Sequence, residues 1–444
     1  MKKMILPILA VFSLSASTSA YAITMEEAMV KAYTQNPSLE ADRAAKEATD
    51  ELLPQAYSGF LPTVTASYSR GKVDQTIGRR ESDNIQKTRS LSIRQPIFNG
   101  GETIFQSQRA ENLISAAKND LIDSEQTTLG GAVQVYMDVV RTDKVLDLSK
   151  NNEQVLSEQL QATQERFKLG ETTRTDVAQA EARLERAKSD RIRAEGDVIA
   201  AHASYKRVVG EEPVGLFMPT SLPQVPTRLD DVVKRAMENN PRLKRAAFTK
   251  DAAENDVWIT KARLLPDAEV EGRMDREDGL NSLFGSNQDT DSLLLHVTVP
   301  LYQSGEEYSR IRQAKRTKER RNMEEADTNN ITLEGATKAW KDLETARSTI
   351  ASSAAAVKAA KIALDGVRQE ADVGSRTILD ILDAEQELFT ANVNLVTAQR
   401  NEVIAIYNVK SIMGELTADN LNLPGPHYDM DSYRDKVKYR MIGF

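Results

Sequence analysis

The chain contains no cysteine, so disulfides, thiol catalysis and an N-terminal lipid anchor on a cysteine are all excluded. Aromatic residues make up only 5 %, too few of the large side chains that dominate compact globular cores. The three histidines, His202, His296 and His427, are scattered without metal-ligand spacing, so no metal and no cofactor is expected. No glycine-rich phosphate loop and no nucleophile elbow is present, which argues against a periplasmic enzyme. Beyond the N-terminus, no apolar run approaches the roughly 20 residues of a membrane helix. Any crossing of a membrane by the rest of the chain therefore requires a closed β-barrel.

What is present in quantity is charge, 28 % of residues, with 58 basic and 66 acidic side chains. That balance argues against nucleic acid as a partner, and with abundant Ala, Leu, Glu and Gln it is typical of long helices or coiled coils. The basic stretch Lys315–Arg321 sits inside such a run and reads as a solvated helix face. Residues 1–22 differ. Lys2 and Lys3 precede an apolar segment, and Ala20-Tyr21-Ala22 closes it, the layout of a cleaved secretory signal peptide. Removing those two lysines takes the net charge from −8 to −10.

The remainder is a duplication. Asn36-Pro37 recurs as Asn240-Pro241, Leu61-Pro62 as Leu265-Pro266, Gly170 and Asp176 as Gly374 and Asp380, and Gly210-Glu211 as Gly414-Glu415, each pair 204 residues apart. The predicted organisation is a signal peptide over 1–22, a first repeat over 23–212, a linker over 213–227, a second repeat over 228–415 and a tail over 416–444. The tail has no repeat partner, and nothing beyond packing or disorder is expected of it.

Each repeat opens with short helices broken at Asn-Pro, where proline suits the first helical position. Two period-two stretches follow, Pro62–Lys72 and Thr88–Ile97, then Asp267–Arg276 and the face Leu293, Leu295, Val297, Val299. The polar segments between them, Val73–Lys87 and Glu277–Asp291, read as exposed loops. Proline-free runs Glu102–Leu169 and Glu306–Val373 then predict helices on the order of 100 Å long. They end at Gly170 and Gly374 as C-cap residues, and return helices follow over Thr175–Val209 and Thr377–Met413. The fold class is thus mostly α with a small β part, four strands per chain.

Four strands cannot close a barrel, and an open sheet in lipid leaves backbone groups unpaired. The strands therefore imply an oligomer sharing one barrel, and an open lumen requires three or more chains. Alternation then directs Leu91, Ile93, Leu293, Leu295, Val297 and Val299 to lipid, and Arg94, Glu269, Glu271, Arg273 and His296 to the lumen. The competing reading is an exported coiled-coil or adhesin protein without a pore.

The turn segments Phe167–Asp176 and Val373–Asp383, with the Asn-Pro starts, the Leu-Pro strand entries and Gln95-Pro96-Ile97-Phe98, resemble the TolC outer-membrane efflux family over about residues 24–415. That resemblance implies a homotrimer with a 12-stranded barrel in the outer membrane and a helical tunnel in the periplasm. It implies a passive exit duct for small-molecule efflux or type I secretion, docked by a periplasmic adaptor and an inner-membrane pump of RND, MFS or ABC type. By motif, Asp380 and Asp383 match the aspartates lining the family's iris-like aperture, where like charges would raise carboxylate pKa values or bind a cation. Arg376 matches the arginine that latches the inner hairpin to its neighbour, with Thr175 and Asp176 as its partners. Asp383 aligns with Gln179 in the first repeat, so the second repeat is expected to line the pore. The family's linking tyrosine falls on Ala371, so the resemblance implies a latch without that tyrosine.

Overall fold

The structure, a computed structural model, describes residues 23–77, 80–279, 287–440 and 443. The expected signal peptide lies outside these residues. Helices α1 (Met25–Gln35), α2 (Pro37–Asp50) and α3 (Leu52–Tyr57) lead through a short 3-10 turn into strands β1 (Thr63–Ile77) and β2 (Arg80–Asn99). Helices α4 (Glu102–Lys168) and α5 (Arg174–Val209) complete the first repeat. The second repeats the order with α6 (Leu229–Asn239), α7 (Pro241–Ala262), β3 (Asp267–Asp278), β4 (Gln288–Thr298), α8 (Glu306–Asp372) and α9 (Ile378–Ile412), and α10 (Ser432–Val437) lies in the tail.

The repeat is visible in its caps. Asn36 accepts from the N–H groups of Ser38 and Leu39 ahead of Pro37, and Asn240 accepts from Arg242 and Leu243 ahead of Pro241. The side-chain oxygen takes donors that have no partner inside the helix, and proline has none to lose. The described residues form two compact units, one drawn from 23–32, 132–222 and 350–400, the other from 33–131, 223–349 and 401–443. Both repeats contribute to each unit, because the long helices run from one into the other.

The strands form one antiparallel sheet in the order β1-β2-β3-β4, with a bulge at Pro96/Phe98. Its register sorts the faces as alternation predicts. Val64, Ile93, Gly272 and Leu293 share one cross-strand row, and Ala66, Leu91, Met274 and Asp291 the next. Leu295 and Val297 extend that face. The opposite face carries Arg94 between Glu269 (3.3 Å) and Glu271 (3.7 Å), His296 at 3.5 Å from Glu271, and Arg273 at 2.7 Å from Asp275. Leu294 is the exception, an apolar residue opposite Glu271 on the charged face.

The strands outrun the sequence reading. Residues 73–77 and 80–87 of the expected loop Val73–Lys87 are paired strand, and so are Glu277, Asp278 and residues 288–291 of the expected loop Glu277–Asp291. Hydrophobic alternation records a difference between two faces. It fades where both faces are polar, although the backbone ladder continues.

The tail is packed in the second unit. Leu416, Ala418 and Leu423 are buried, and buried Glu125 of α4 accepts from the Ala418 N–H (2.7 Å). The Tyr428 N–H donates to the Tyr33 hydroxyl (2.9 Å), and the Tyr428 hydroxyl donates to Glu47 (2.7 Å). Arg43 lies over both tyrosine rings, 4.6 and 5.0 Å from their centroids, a cation–π sandwich. Lys46 pairs with Asp50 at 2.7 Å, both fully buried, and also donates to the Met430 carbonyl.

Candidate functional site

The candidate site is the pair of helical hairpin turns in the first unit. The two are built alike. After α4, Gly170 takes φ +81° and donates to Phe167, while Glu171 donates to Arg166 (both 3.0 Å). After α8, Gly374 takes φ +78° and donates to Ala371 (3.0 Å), while Ser375 donates to Glu370 (2.9 Å). These are Schellman closures, in which a left-handed residue lets two N–H groups satisfy the last carbonyls of the helix. Glycine carries no Cβ penalty there, so Gly170 and Gly374 are the C-cap residues the sequence predicted.

The return helices also start alike. Thr173 caps α5 through the Asp176 N–H (3.2 Å), and Asp176 accepts from the Thr173 N–H (2.9 Å) and hydroxyl (2.8 Å). Thr377 and Asp380 repeat this box, with the same three bonds at 3.3, 2.9 and 2.8 Å. Within the chain, Asp380 is therefore first a helix-capping carboxylate, as Asp176 is. The Thr377 N–H and hydroxyl, with the nearby Arg376 charge, hold the Asp380 carboxyl below its ordinary range. That direction belongs to the single chain, where Thr377 and Arg376 supply the donors and the charge beside the carboxylate.

Asp383 lies one turn further along α9. Its carboxylate is engaged by Arg183 of α5 at 2.5 Å. The sequence reading did not single out Arg183. Its only signal is the inequality of the repeats, since Gln179 and Arg183 align with Asp383 and Glu387. Arg376 pairs with Glu370 on its own hairpin at 2.8 Å, a contact that raises the guanidinium pKa. Thr175 is exposed and Asp176 is turned to Thr173, while Arg376 is turned to Glu370, so the three residues expected to form a latch each have other surroundings within one chain.

Beneath the turns lie small apolar clusters. Leu156, Ala180, Leu184, Ala187, Ile378 and Leu382 form one. Ala371 packs with Leu364 and Ile381 in another, where its small side chain fits between α8 and α9. Arg368 pairs with Glu385 across the same hairpin. The turn exposes Leu169 and Val373 almost fully, at 75 and 80 %. Such apolar tips are suited to contact with other chains. Among the described residues no group of three or more acidic, histidine or cysteine side chains could hold a metal ion, and no helix is long and apolar enough to cross a membrane.

The sequence matches the outer membrane efflux protein family over residues 28–211 and 232–415, the two repeats. It is 32 % identical to the outer membrane efflux protein BepC of Brucella suis, over 96 % of this chain and 92 % of that one. It is 24 % identical to the outer membrane protein TolC of Vibrio cholerae, over 94 % of this chain and 97 % of the relative. Identity to the alkaline protease secretion protein AprF of Pseudomonas aeruginosa is also 24 %, over 96 and 92 %. The fold superposes on the Campylobacter jejuni CmeC outer membrane channel with a TM-score of 0.80 at 16 % identity, covering 94 % of this chain and 89 % of that one. For VceC of Vibrio cholerae the TM-score is 0.76 at 17 % identity, covering 88 and 96 %. A duplicated frame of long helices carrying a two-faced four-stranded sheet, matched along nearly its whole length by such relatives, has one reading: the chain belongs to the outer membrane efflux protein family and is an outer-membrane channel protein.

Proposed function

We propose that three copies of the chain share a 12-stranded barrel in the outer membrane and form the exit duct of a tripartite efflux pump or a type I secretion system. The observation that carries this is the four-stranded sheet with one apolar and one charged face. Among the described residues its outer strands β1 and β4 each have one edge without a strand partner, and in lipid such edges must be paired by another copy. The relatives carry both efflux and secretion in their names, AprF and the proteases secretion protein PrtF among them, and so support either cargo class. In this reading residues 1–22 are removed on export, and the helical part stands in the periplasm, where an adaptor and an inner-membrane pump engage the hairpin turns. The duct is passive, with energy supplied by the pump.

In the same reading α8 and α9 line the periplasmic aperture. Asp380 and Asp383 of three chains gather around one axis, a ring that favours cations. Arg376 then reaches Thr175 and Asp176 of a neighbouring copy as a latch, in exchange for its own Glu370. The absence of a tyrosine at Ala371 leaves that latch resting on the arginine.

The test is conductance of the purified protein in planar bilayers. A trimer with a discrete conductance and block by multivalent cations is expected, and Asp380→Ala combined with Asp383→Ala should abolish the block. A protein that crosslinks as a trimer yet never conducts favours the pore-less coiled-coil alternative. Unchanged block in the double variant removes the aperture assignment.

A further inference from the structure

The apolar face of the sheet is not uniformly covered by side chains. In the row Val64–Ile93–Gly272–Leu293, one position carries none. A notch of about 380 Å³ opens there, lined by Leu91, Ile93, Gly272, Met274, Leu293 and Asp291. It is continuous, through Leu91 and Met274, with a second groove of about 450 Å³ that also touches Ala66, Tyr68, Arg89 and Arg276.

Nothing inside the chain requires glycine at 272. Its backbone is not in the left-handed region. An added Cβ would meet only the Leu293 Cδ1, at 3.8 Å, an ordinary contact. Glycine weakens a strand, and where it persists it often marks the close approach of a ligand. The open space itself is then what the residue supplies.

At the other end of the groove, Tyr68, Arg89 and Arg276 stand in one cross-strand row. Directly opposed like charges destabilise a sheet. Arg276 is compensated by Asp291 (2.7 Å) and Asp289 (3.5 Å). Among the described residues Arg89 makes one side-chain hydrogen bond, Nη2 to Asp278 at 2.8 Å, and a guanidinium carries five N–H donors. Arg89 is 61 % exposed on its side chain. The groove thus has a cationic donor group and a phenol at one end and mostly apolar walls at the other, where Asp291 is already paired to Arg276.

We propose that this groove holds a phosphate-bearing lipid, with its phosphate on Arg89 and Tyr68 and an acyl chain over Leu91 and Met274 ending at Gly272. The inference rests on the barrel reading. The groove is centred on β2 and β3 and reaches β1 at Ala66 and Tyr68 and β4 at Leu293 and Asp291, all on the face of the sheet, while further copies would pair in-plane at the edges of β1 and β4, so another subunit does not cover that face. The strands turn back at the end nearer Arg89, away from the helices, which places the headgroup at the outer surface of the membrane. Arg89 favours a phosphate over a neutral head, since arginine binds phosphate through charge-assisted, often bidentate, bonds.

Native mass spectrometry of the delipidated trimer in detergent tests this with three probes: dimyristoyl phosphatidic acid, dimyristoylglycerol and inorganic phosphate. Phosphatidic acid should be retained at up to one molecule per chain, and the other two should not. Gly272→Leu fills the notch and Arg89→Gln removes the charge; each should weaken retention about tenfold. Gly272→Ala should be intermediate and decides the matter if the leucine variant does not assemble. Val297→Leu, on the same face but away from the groove, should bind as the parent does. Equal retention in the parent, Gly272→Ala and Arg89→Gln overturns the site, as does equal retention of dimyristoylglycerol. Failure of the barrel reading looks different: no trimer in the mass spectrum and no conductance.

Discussion

Asp383 on α9 is ion-paired to Arg183 on α5, two residues that are not equivalent in the repeat. Their counterparts are Gln179 and Glu387, which have no complementary charge. The pair is therefore a feature of the duplication after it diverged. It also separates the two candidate gate aspartates. Asp380 is held by the start of its own helix, whereas Asp383 is held by the other repeat, which could release it.

The first prediction follows from that separation. Arg183→Ala removes the counter-charge of Asp383 and leaves Asp380 in its cap. In bilayer conductance the multivalent-cation concentration for half-block should fall about threefold, the scale of a partly exposed ion pair. The block should disappear when Asp383→Ala is added to Asp380→Ala. If Arg183→Ala leaves the half-block concentration where it was, Asp383 does not face the permeation path.

A second prediction concerns the tail. Lys46 and Asp50 are both buried, and burial pushes the Asp50 carboxyl above its ordinary range despite the ammonium beside it. Lys46→Met leaves that carboxylate uncompensated and frees the Met430 carbonyl. The expected loss is about 3–5 kcal/mol at neutral pH. Because the folded-state pKa of Asp50 is raised, its charged form weakens the fold above that pKa. The defect should shrink as pH falls and the carboxyl is protonated. Lys46→Met with Asp50→Leu should recover most of the loss. Unfolding curves at two pH values check both statements.

The order of elements was legible because the Asn-Pro starts, the Leu-Pro strand entries and the helix-ending glycines recur at an offset of 204 residues. Local rules then set Asn36 and Asn240 as N-caps and Gly170 and Gly374 as C-caps. The two faces of the sheet were legible from residue 88 to 97, where alternation is strong, and illegible across 73–87, where polar side chains hide a ladder that backbone pairing sustains. The tail was unreadable for another reason. Its partners Tyr33, Arg43, Lys46 and Glu125 lie far from it in sequence, and no repeat marks them. At the proposed gate, the motif singles out Asp380 and Asp383, but only packing of α5 beside α9 could reveal Arg183.

A third prediction is a pH dependence of the tail. Both ring nitrogens of His427 face acceptors, Nε2 the Leu423 carbonyl at 2.9 Å and Nδ1 the Asp419 carboxylate. A neutral imidazole has one N–H, so either tautomer loses one of these bonds. The Leu423 carbonyl and Asp419 accordingly raise its pKa, with the Glu125 carboxylate adding to them and the Tyr33 ring packed edge-on at 6.4 Å. A raised histidine pKa means the stabilisation is complete below about 6.5, the unfolded value, and is lost as pH rises through the folded value. Amide exchange over residues 418–431, corrected for intrinsic rates, should be slower than in His427→Gln on the acid side and converge with it on the alkaline side. A difference that persists unchanged into alkali would assign the protection to packing alone.

The last prediction sets two glycines against each other. Gly374 and Gly414 both close a helix in the left-handed region, at φ +78° and +72°. A Cβ on Gly374 meets nothing within 4 Å, whereas on Gly414 it would lie 2.4 Å from the Asn239 carbonyl oxygen and 2.9 Å from its carbon. Gly374→Ala therefore costs only the backbone preference, about 1–2 kcal/mol. Gly414→Ala adds a clash with main chain that cannot rotate away, because Asn239 ends α6 and the adjoining Asn240 is bonded to the Ile412 carbonyl at 3.0 Å. Overpacking of that kind adds roughly 1–3 kcal/mol. Thermal unfolding should show the larger loss for Gly414→Ala. Gly374→Ala should remain assembled, with its effect confined to exchange at the turn and to conductance. Equal losses would mean that the α6–α7 junction gives way, and that Gly414 is needed for its backbone angle alone.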